Sequence, residues 1–396
     1  MRRWGTLAAL ALLTGCTVVP QGDRPRPAGP VDSPPTGVTS AALAGVARGP
    51  SVGTLDLAAA DAGTALAAFL ESCPRVLTRP DASGLTRPDD WRPACEAART
   101  WPAGRGQEFF AQYFETARIG DGAAFATGYF EPQIRGSRRP LPGYEVPVYK
   151  MPDDLVRAWP EDTPASERTG RAPLGRYDEN GDFVLYYDRG QIVDGALAGR
   201  GLEIAWAADP VEFFFLQIQG SGRLIAPDGS VMRIGYAGQS GREYVGIGGV
   251  MRERGLIGDG PGQYPGSMQG IMAYIRENPE EGRELMRLNK SWIFFTELTG
   301  DGPLGSLGIP VRRESSVAVD PTFVPYGAPV WLDVDRAVAD GLWVAQDTGG
   351  AIKGANRFDT FWGSGEEART IAGGMSARGQ ALILLPKGTV ARLEAR

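Results

Sequence analysis

Three aspartates near the C-terminus, Asp320, Asp347 and Asp359, are groups that can give and take protons. Asp347 ends the run "GLWVAQD", Asp359 lies in "NRFDTFWG", and Gly349, Gly350 and Lys353 fall between them. Asp320 closes "SSVAVD" just before "PTFVPYGAPVW". Aspartates often cap turns, and for any one of the three that account suffices. Three within forty residues, two of them flanking a glycine-rich turn, equally fit a shared cleft. Glycines there would let a ligand approach the backbone closely. The chain contains no histidine. Proton transfer in such a cleft would therefore rest on carboxylates rather than on imidazole.

The elements that must hold these residues are short. The chain has 396 residues, enough for two or three domains with sizeable cores. It carries 55 Gly and 31 Pro, with Val, Tyr, Phe and Trp spread over short segments, which predicts a mainly β protein with many turns and some helices. A net charge of −6 argues against nucleic acid as a partner. Helical spacing of apolar residues appears in "DAGTALAAFLESC" and "GQEFFAQYFETARI", the latter through Phe109, Phe110, Tyr113, Phe114 and Ala117. Asn180-Gly181 and Asp228-Gly229 predict hairpins. "DENGDFVLYYD" has the look of a calcium loop, but Phe183 stands where that loop needs glycine, so it reads as a turn. "REYVGIGGVMRERG" and "SMQGIMAYIRENPEEGRELMRLN" read as helices, with Gly248-Gly249 a weak point in the first. "SWIFFTEL", "SSVAVD", "PVWLDVD", "GLWVAQD" and "ALILLPKG" read as strands. No nucleotide-binding glycine motif occurs in its strand–helix context.

The first residues read as a targeting segment. Arg2 and Arg3 precede the apolar run "WGTLAALALL", which is too short to span a bilayer permanently, and "LTGC" then brings small residues to Cys16. This resembles a bacterial lipoprotein signal over 1–15, with cleavage before Cys16 and lipid on its thiol and new amine; the alternative is a plain secretory signal. Several acyl chains on one residue would hold the chain on a membrane. Thr17 in place of an aspartate after the cysteine implies, by likeness to other lipoproteins, the periplasmic face of the outer membrane. Residues 16–50 are rich in Pro, Gly, Ser, Thr and Ala and read as a flexible tether. Cys73 and Cys95 remain, and in an oxidising compartment they can form one disulfide, the alternative being two buried thiols. With no histidine and no CxxC pair, neither a metal nor another cofactor is expected.

Several long motifs together carry a resemblance. "ATGYFEP", "FFFLQIQGSGRL", "SSVAVDPTFVPYGAPVWL" and "AQDTGGAIKGANRFDTFWGSG" follow in an order similar to that of the membrane-bound lytic murein transglycosylase A family, whose C-terminal domain is named for three aspartates. The likeness spans nearly everything after the tether. It implies a double-psi β-barrel interrupted by a second β-rich domain, with a glycan groove between them. Mapped here, the barrel would combine 45–130 with 300–396, and the inserted substrate-binding domain would span 131–299. It also implies cleavage of the β-1,4 bond between N-acetylmuramic acid and N-acetylglucosamine in peptidoglycan, leaving 1,6-anhydromuramyl ends. By motif match Asp359 is the single acid and then base. An acid must stay protonated near neutral pH, and raising a free Asp by two units takes roughly 2.7 kcal/mol of disfavour toward its charged form. Phe358, Phe361 and Trp362 are expected to desolvate Asp359, and Asp347 to repel its charge. Asp320 either does the same or holds a loop, and Lys353 either stabilises developing charge or pairs with Asp347.

Further expectations concern the glycan itself. Thr127, Tyr129 and Phe130 stand at the domain junction, where aromatic faces can stack on sugars. Gln217, Gln219 and Ser221 can bond hydroxyl and acetamido groups, and alternation along "FFFLQIQGSG" would put both glutamines on one side of a strand. Gly349 and Gly350 complete the expected substrate contacts. The competing reading puts Phe130 and Phe213 to Phe215 in the core. Expected partners are peptidoglycan strands, the outer membrane through the anchor, and other cell-wall enzymes. Three rival functions stand beside this one: a two-carboxylate glycoside hydrolase with Asp347 as base, a peptidoglycan-binding lipoprotein without activity, and a structural lipoprotein.

Overall fold

The structure, a computed structural model, describes residues 39–300 and 302–395. Cys16 and the expected signal lie outside the described residues. In chain order the strands are β1 (Val46–Arg48), β2 (Phe114–Ile119), β3 (Ala123–Glu131), β4 (Gln133–Ser137), β5 (Val146–Tyr149) and β6 (Val156–Arg157). Then come β7 (Leu174–Tyr177), β8 (Phe183–Leu185), β9 (Glu203–Ala207), β10 (Ser221–Ile225), β11 (Val231–Gln239) and β12 (Ile293–Glu297). The last are β13 (Ser316–Ala318), β14 (Pro329–Val334), β15 (Gly341–Asp347), β16 (Arg357–Ser364) and β17 (Ser376–Pro386).

Six of these close into a ring. The pairings run β17-β14-β15-β13-β16-β3 and return to β17. The closing strand β17 is long enough to pair β3 through Ser376–Gln380, β14 in its middle, and β2 at its end. Closure leaves no free edge inside the ring. β15 is buried along nearly its whole length, because the Ala59–Val76 helix covers it from outside and the barrel core from within. Such a strand reads as a continuous apolar run, which is what "GLWVA" shows. The polar Gln346 in this run is satisfied by the helix: its amide donates to the Ala68 carbonyl and to Ser72 Oγ. Cys73 and Cys95 are bonded to each other, with Cα atoms 5.6 Å apart, and join that helix to the one over Pro88–Ala98.

A second sheet is built from residues between β3 and β13, in the order β12-β11-β10-β4-β9-β5. Its core gathers Val148, Tyr186, Phe213, Phe294 and Phe295. Chain passes from ring to second sheet between Glu131 and Gln133, across the single residue Pro132. At this crossing the buried Glu131 carboxylate accepts from Arg223, 2.7 Å, and Arg233, 3.2 Å. Arg233 also donates to the carbonyl of Gly300 on the returning segment. The two connections are thereby tied together.

The hairpins at Asn180-Gly181 and Asp228-Gly229 form as expected, with Gly181 and Gly229 at φ +85 and +82. Three expected elements differ. The helix from Gly106 stops at Tyr113, and Phe114 and Ala117 belong to β2, which is buried except at Glu115 and Arg118. The segment 242–246 is irregular and its helix begins only at Ile247. "PVEFFFLQIQ" is a helix, Pro210–Gln219, not a strand. Asp209 caps its N-terminus by accepting from Val211 and Glu212, and Pro210 occupies the first helical position. These start signals outweigh the β preference of three phenylalanines.

Candidate active site

Asp359 stands where three strands of the ring meet. β16 pairs β3 in parallel with Asp359 opposite Thr127, and β13 antiparallel with Asp359 opposite Ala318. Alternation along β16 sends Asp359 and Phe361 to one face and Phe358 and Trp362 into the barrel core. Along β3 the same period sends Thr127 and Tyr129 toward Asp359. Gly128 faces the other way, where a Cβ would meet Ala372, Met375 and Trp362 at 2.9 Å. Phe358 and Trp362 therefore do not cover Asp359 directly, contrary to the expectation from their proximity in sequence. Phe361 packs against Tyr129, ring centroids 4.9 Å apart.

The Thr127 hydroxyl donates to Asp359 Oδ1 at 2.6 Å and accepts from Arg357 at 2.9 Å. Burial pushes the Asp359 carboxyl up to about 6, with Asp347's charge adding to it, while Arg357 and the Thr127 hydrogen bond pull the other way. Asp347 sits at the end of β15. Its Oδ1 accepts from Ser306 N, Ser306 Oγ and Thr348 N at 2.8, 2.9 and 2.8 Å, and its Oδ2 from the Tyr129 hydroxyl at 3.1 Å. Burial raises the Asp347 carboxyl, and these four donors oppose the rise. Tyr129 is raised well above an ordinary phenol by burial and then by the two aspartates, so it is a proton donor in the site.

Asp320 is a loop holder. Its Oδ1 accepts from Thr322 N and Oγ1, and its Oδ2 from Gly354 N at 2.9 Å. It thus anchors the turn between Asp347 and Asp359. Within that turn the left-handed backbone falls at Gly354 and Asn356, φ +93 and +53, and not at Gly349 or Gly350. Gly350 is exposed and Gly349 half-buried. Lys353 is exposed, and the cation whose charge acts on Asp359 is Arg357. Arg357 carried a legible signal: it lies two residues before Asp359 on a strand, hence on the same face. Ser306 is remote in sequence and had none.

The remaining expected contacts divide. Tyr129 is only 9% exposed, so it is a hydrogen-bond donor to Asp347 rather than an open stacking face. Phe130, Phe213, Phe214 and Phe215 are core. Gln217 is buried because the segment is a helix: its Oε1 accepts from Arg189 and its amide donates to the Ile293 carbonyl. It does not face the groove. Gln219 is half-buried and accepts from the Phe130 N–H at 3.1 Å, and Ser221 opens β10 half-buried. Among the described residues no cluster of three or more His, Cys, Asp or Glu side chains has metal-site geometry, and no helix is long and apolar enough to cross a membrane.

Residues 125–296 match the family model described as the MltA specific insert domain, and residues 315–385 the 3D domain. Membrane-bound lytic murein transglycosylase A of Vibrio cholerae is 30% identical over 300 residues, which are 72% of this chain and 73% of that protein. The chain belongs to the membrane-bound lytic murein transglycosylase A family. It is accordingly a lytic transglycosylase of peptidoglycan. A crystal structure of membrane-bound lytic murein transglycosylase from Agrobacterium tumefaciens superposes with a TM-score of 0.76 at 29% identity, covering 88% of this chain and 99% of that one. MltA from Neisseria gonorrhoeae gives 0.71 at 34% identity, covering 92% and 98%. The β-rich architecture, whose third and smallest sheet is β6-β7-β8, is thus the fold of this family, and its members' names place them at a membrane.

Proposed function

We propose that the chain cleaves the β-1,4 bond between N-acetylmuramic acid and N-acetylglucosamine with Asp359 as its one acid–base group. The neutral carboxyl protonates the glycosidic oxygen as the bond to the muramyl C1 breaks. The resulting carboxylate takes the proton of the same sugar's 6-hydroxyl, whose oxygen bonds to C1. The product is a 1,6-anhydromuramyl end, and no water is consumed. The nucleophile is tethered to the reacting carbon, so proximity replaces a second catalytic carboxylate. The observation that supports this most directly is a pair of carboxyls with different environments. Asp359 is held up to about 6 by burial, with one hydrogen bond from Thr127, while both oxygens of Asp347 are engaged by donors. A group poised near the working pH suits both proton transfers.

In this reading Asp347 and Tyr129 tune the field around Asp359, and Asp320 holds the turn. Arg357 takes the supporting place expected of Lys353. Gln219, Ser221, Gly349 and Gly350 border the glycan. The barrel comprises 45–130 with 300–396 and the insert 131–299. A lipid on Cys16 and a tether keep the enzyme on the periplasmic face of the outer membrane, with other cell-wall enzymes as neighbours; the tether is shorter than the expected 16–50, because Ala41–Ala44 is helical and Val46–Arg48 pairs β2. Digestion of purified peptidoglycan followed by mass analysis of the muropeptides tests the chemistry. Anhydromuramyl ends are expected; reducing ends, heavier by one water, would make the chain a hydrolase.

A further inference from the structure

The second sheet's domain reaches the catalytic centre through one side chain that the sequence did not mark. Between β11 and the Ile247–Glu253 helix the chain runs irregularly, and Tyr244 projects from it. A Cβ placed on Gly350 would lie 3.9 Å from Tyr244 Cγ, so the ring stands against the turn that follows Asp347. The residue is still 38% exposed. Burial raises its hydroxyl, the Asp359 charge raises it further, and Arg189 opposes both. The phenol is therefore a neutral donor that senses Asp359 across the groove.

Tyr244 is held by a network for which the proposed mechanism has no other use. Arg189 is 4% exposed, and its guanidinium donates to the carbonyls of Asn289 and Ser291 and to Gln217 Oε1. It also lies over the rings of Phe214 and Trp292, at 4.7 and 5.3 Å. None of those three acceptors is a carboxylate. A buried cation held by neutral groups is costly unless every donor is well placed, so the arrangement fixes its surroundings. What it fixes is the 289–291 segment. There the Asn289 side chain accepts from Ser291 N at 3.2 Å and from Val245 N at 3.4 Å, directly beside Tyr244. Arg242, on the other side, donates to the Tyr186 carbonyl at 3.2 Å.

We propose that Tyr244 is a further substrate-positioning residue of this reaction: its ring closes the groove over Asp359 against Gly350, and its hydroxyl donates to an acetamido or hydroxyl oxygen of the sugar held there. Arg189, Gln217 and Asn289 are positioning residues that act through it. The proposal rests on Asp359 being the acid. It gives Gln217 a role at one remove from the glycan, and it makes the site incomplete without the inserted domain.

The test is steady-state kinetics of the full chain on purified peptidoglycan across pH, with Tyr244→Phe, Tyr244→Ala and Asp359→Asn in parallel. Tyr244→Phe keeps the ring and loses one hydrogen bond, and kcat/KM should fall about three- to tenfold with an unchanged pH profile. Tyr244→Ala also admits water to Asp359, so the loss should be larger and the basic limb should move to lower pH, which a structural role alone would not do. If Tyr244→Ala leaves kcat, KM and the pH profile at wild-type values, the proposal is overturned. Should that variant melt early, a wild-type kcat/KM for Tyr244→Phe overturns the hydroxyl's role instead. An active Asp359→Asn removes the acid assignment, whereas an inactive one beside a wild-type Tyr244→Ala removes only the present proposal.

Discussion

Thr127 Oγ1 and Asp359 Oδ1 are 2.6 Å apart although 232 residues separate them in the chain. The contact exists because β3 enters the ring in parallel beside β16, in a register that sets these two residues opposite each other. The same hydroxyl accepts from Arg357, so its single hydrogen is directed at the carboxylate. Thr127 thus restrains a carboxyl that burial would otherwise raise further.

From this follows a shift of the pH profile in Thr127→Val. Wild-type kcat/KM should be level below the Asp359 value of about 6 and fall tenfold per pH unit above it, because the first step needs the protonated acid. Loss of the Thr127 donor removes an influence that lowers that value, so the falling limb should move to higher pH. Activity at pH 5 should drop about three- to tenfold from the lost orientation of the acid. A limb that stays put or moves down would show that Thr127 does not hydrogen-bond the ionised carboxyl.

Asp359→Asn separates catalysis from stability. Turnover should fall by at least the roughly 10²–10⁴-fold that general acid–base catalysis supplies, since one residue serves both half-reactions. The folded chain, however, should gain stability at pH 7.5. The Asp359 carboxyl is raised from 3.8 to about 6, so the folded state disfavours its charge, and the cost appears as pH rises from about 4 through about 6. At 1.36 kcal/mol per unit the upper bound is about 3 kcal/mol. Melting curves of the two proteins should lie apart at pH 7.5 and converge near pH 4. A variant that melts lower at pH 7.5 would contradict the raised value.

Removal of the disulfide should weaken the fold and spare the chemistry. Cys73 and Cys95 are 22 residues apart, and closing such a loop is worth about 3 kcal/mol by chain entropy. The paired change to serine should lower the denaturation midpoint accordingly. Activity at 25 °C should be retained, because neither cysteine contacts Asp359 or its partners. An unchanged midpoint would mean that the reduced unfolded chain is already compact there.

The aspartates, the hairpin turns and the buried strands are legible from residue order alone, because each depends on short-range chemistry. Asn180-Gly181 makes a turn wherever it stands, and "GLWVA" reads as a strand buried on both sides. Residue order also carried enough motif to indicate the family. Helix and strand are hard to separate where two local signals compete, as in "PVEFFFLQIQ", where the Asp209 cap and Pro210 prevail over the aromatic run. Lys353 was the expected cation, yet the charge that acts on Asp359 is that of Arg357, which shares its face of β16. The surroundings of Asp359, by contrast, are set by long-range packing. Thr127 comes from β3, Asp347 and its partner Ser306 from the chain after the second sheet, and Tyr244 from the loop between β11 and the Ile247–Glu253 helix. Desolvation and charge act through a few ångströms of space, and the ring closure and its interruption alone bring these distant segments within that range.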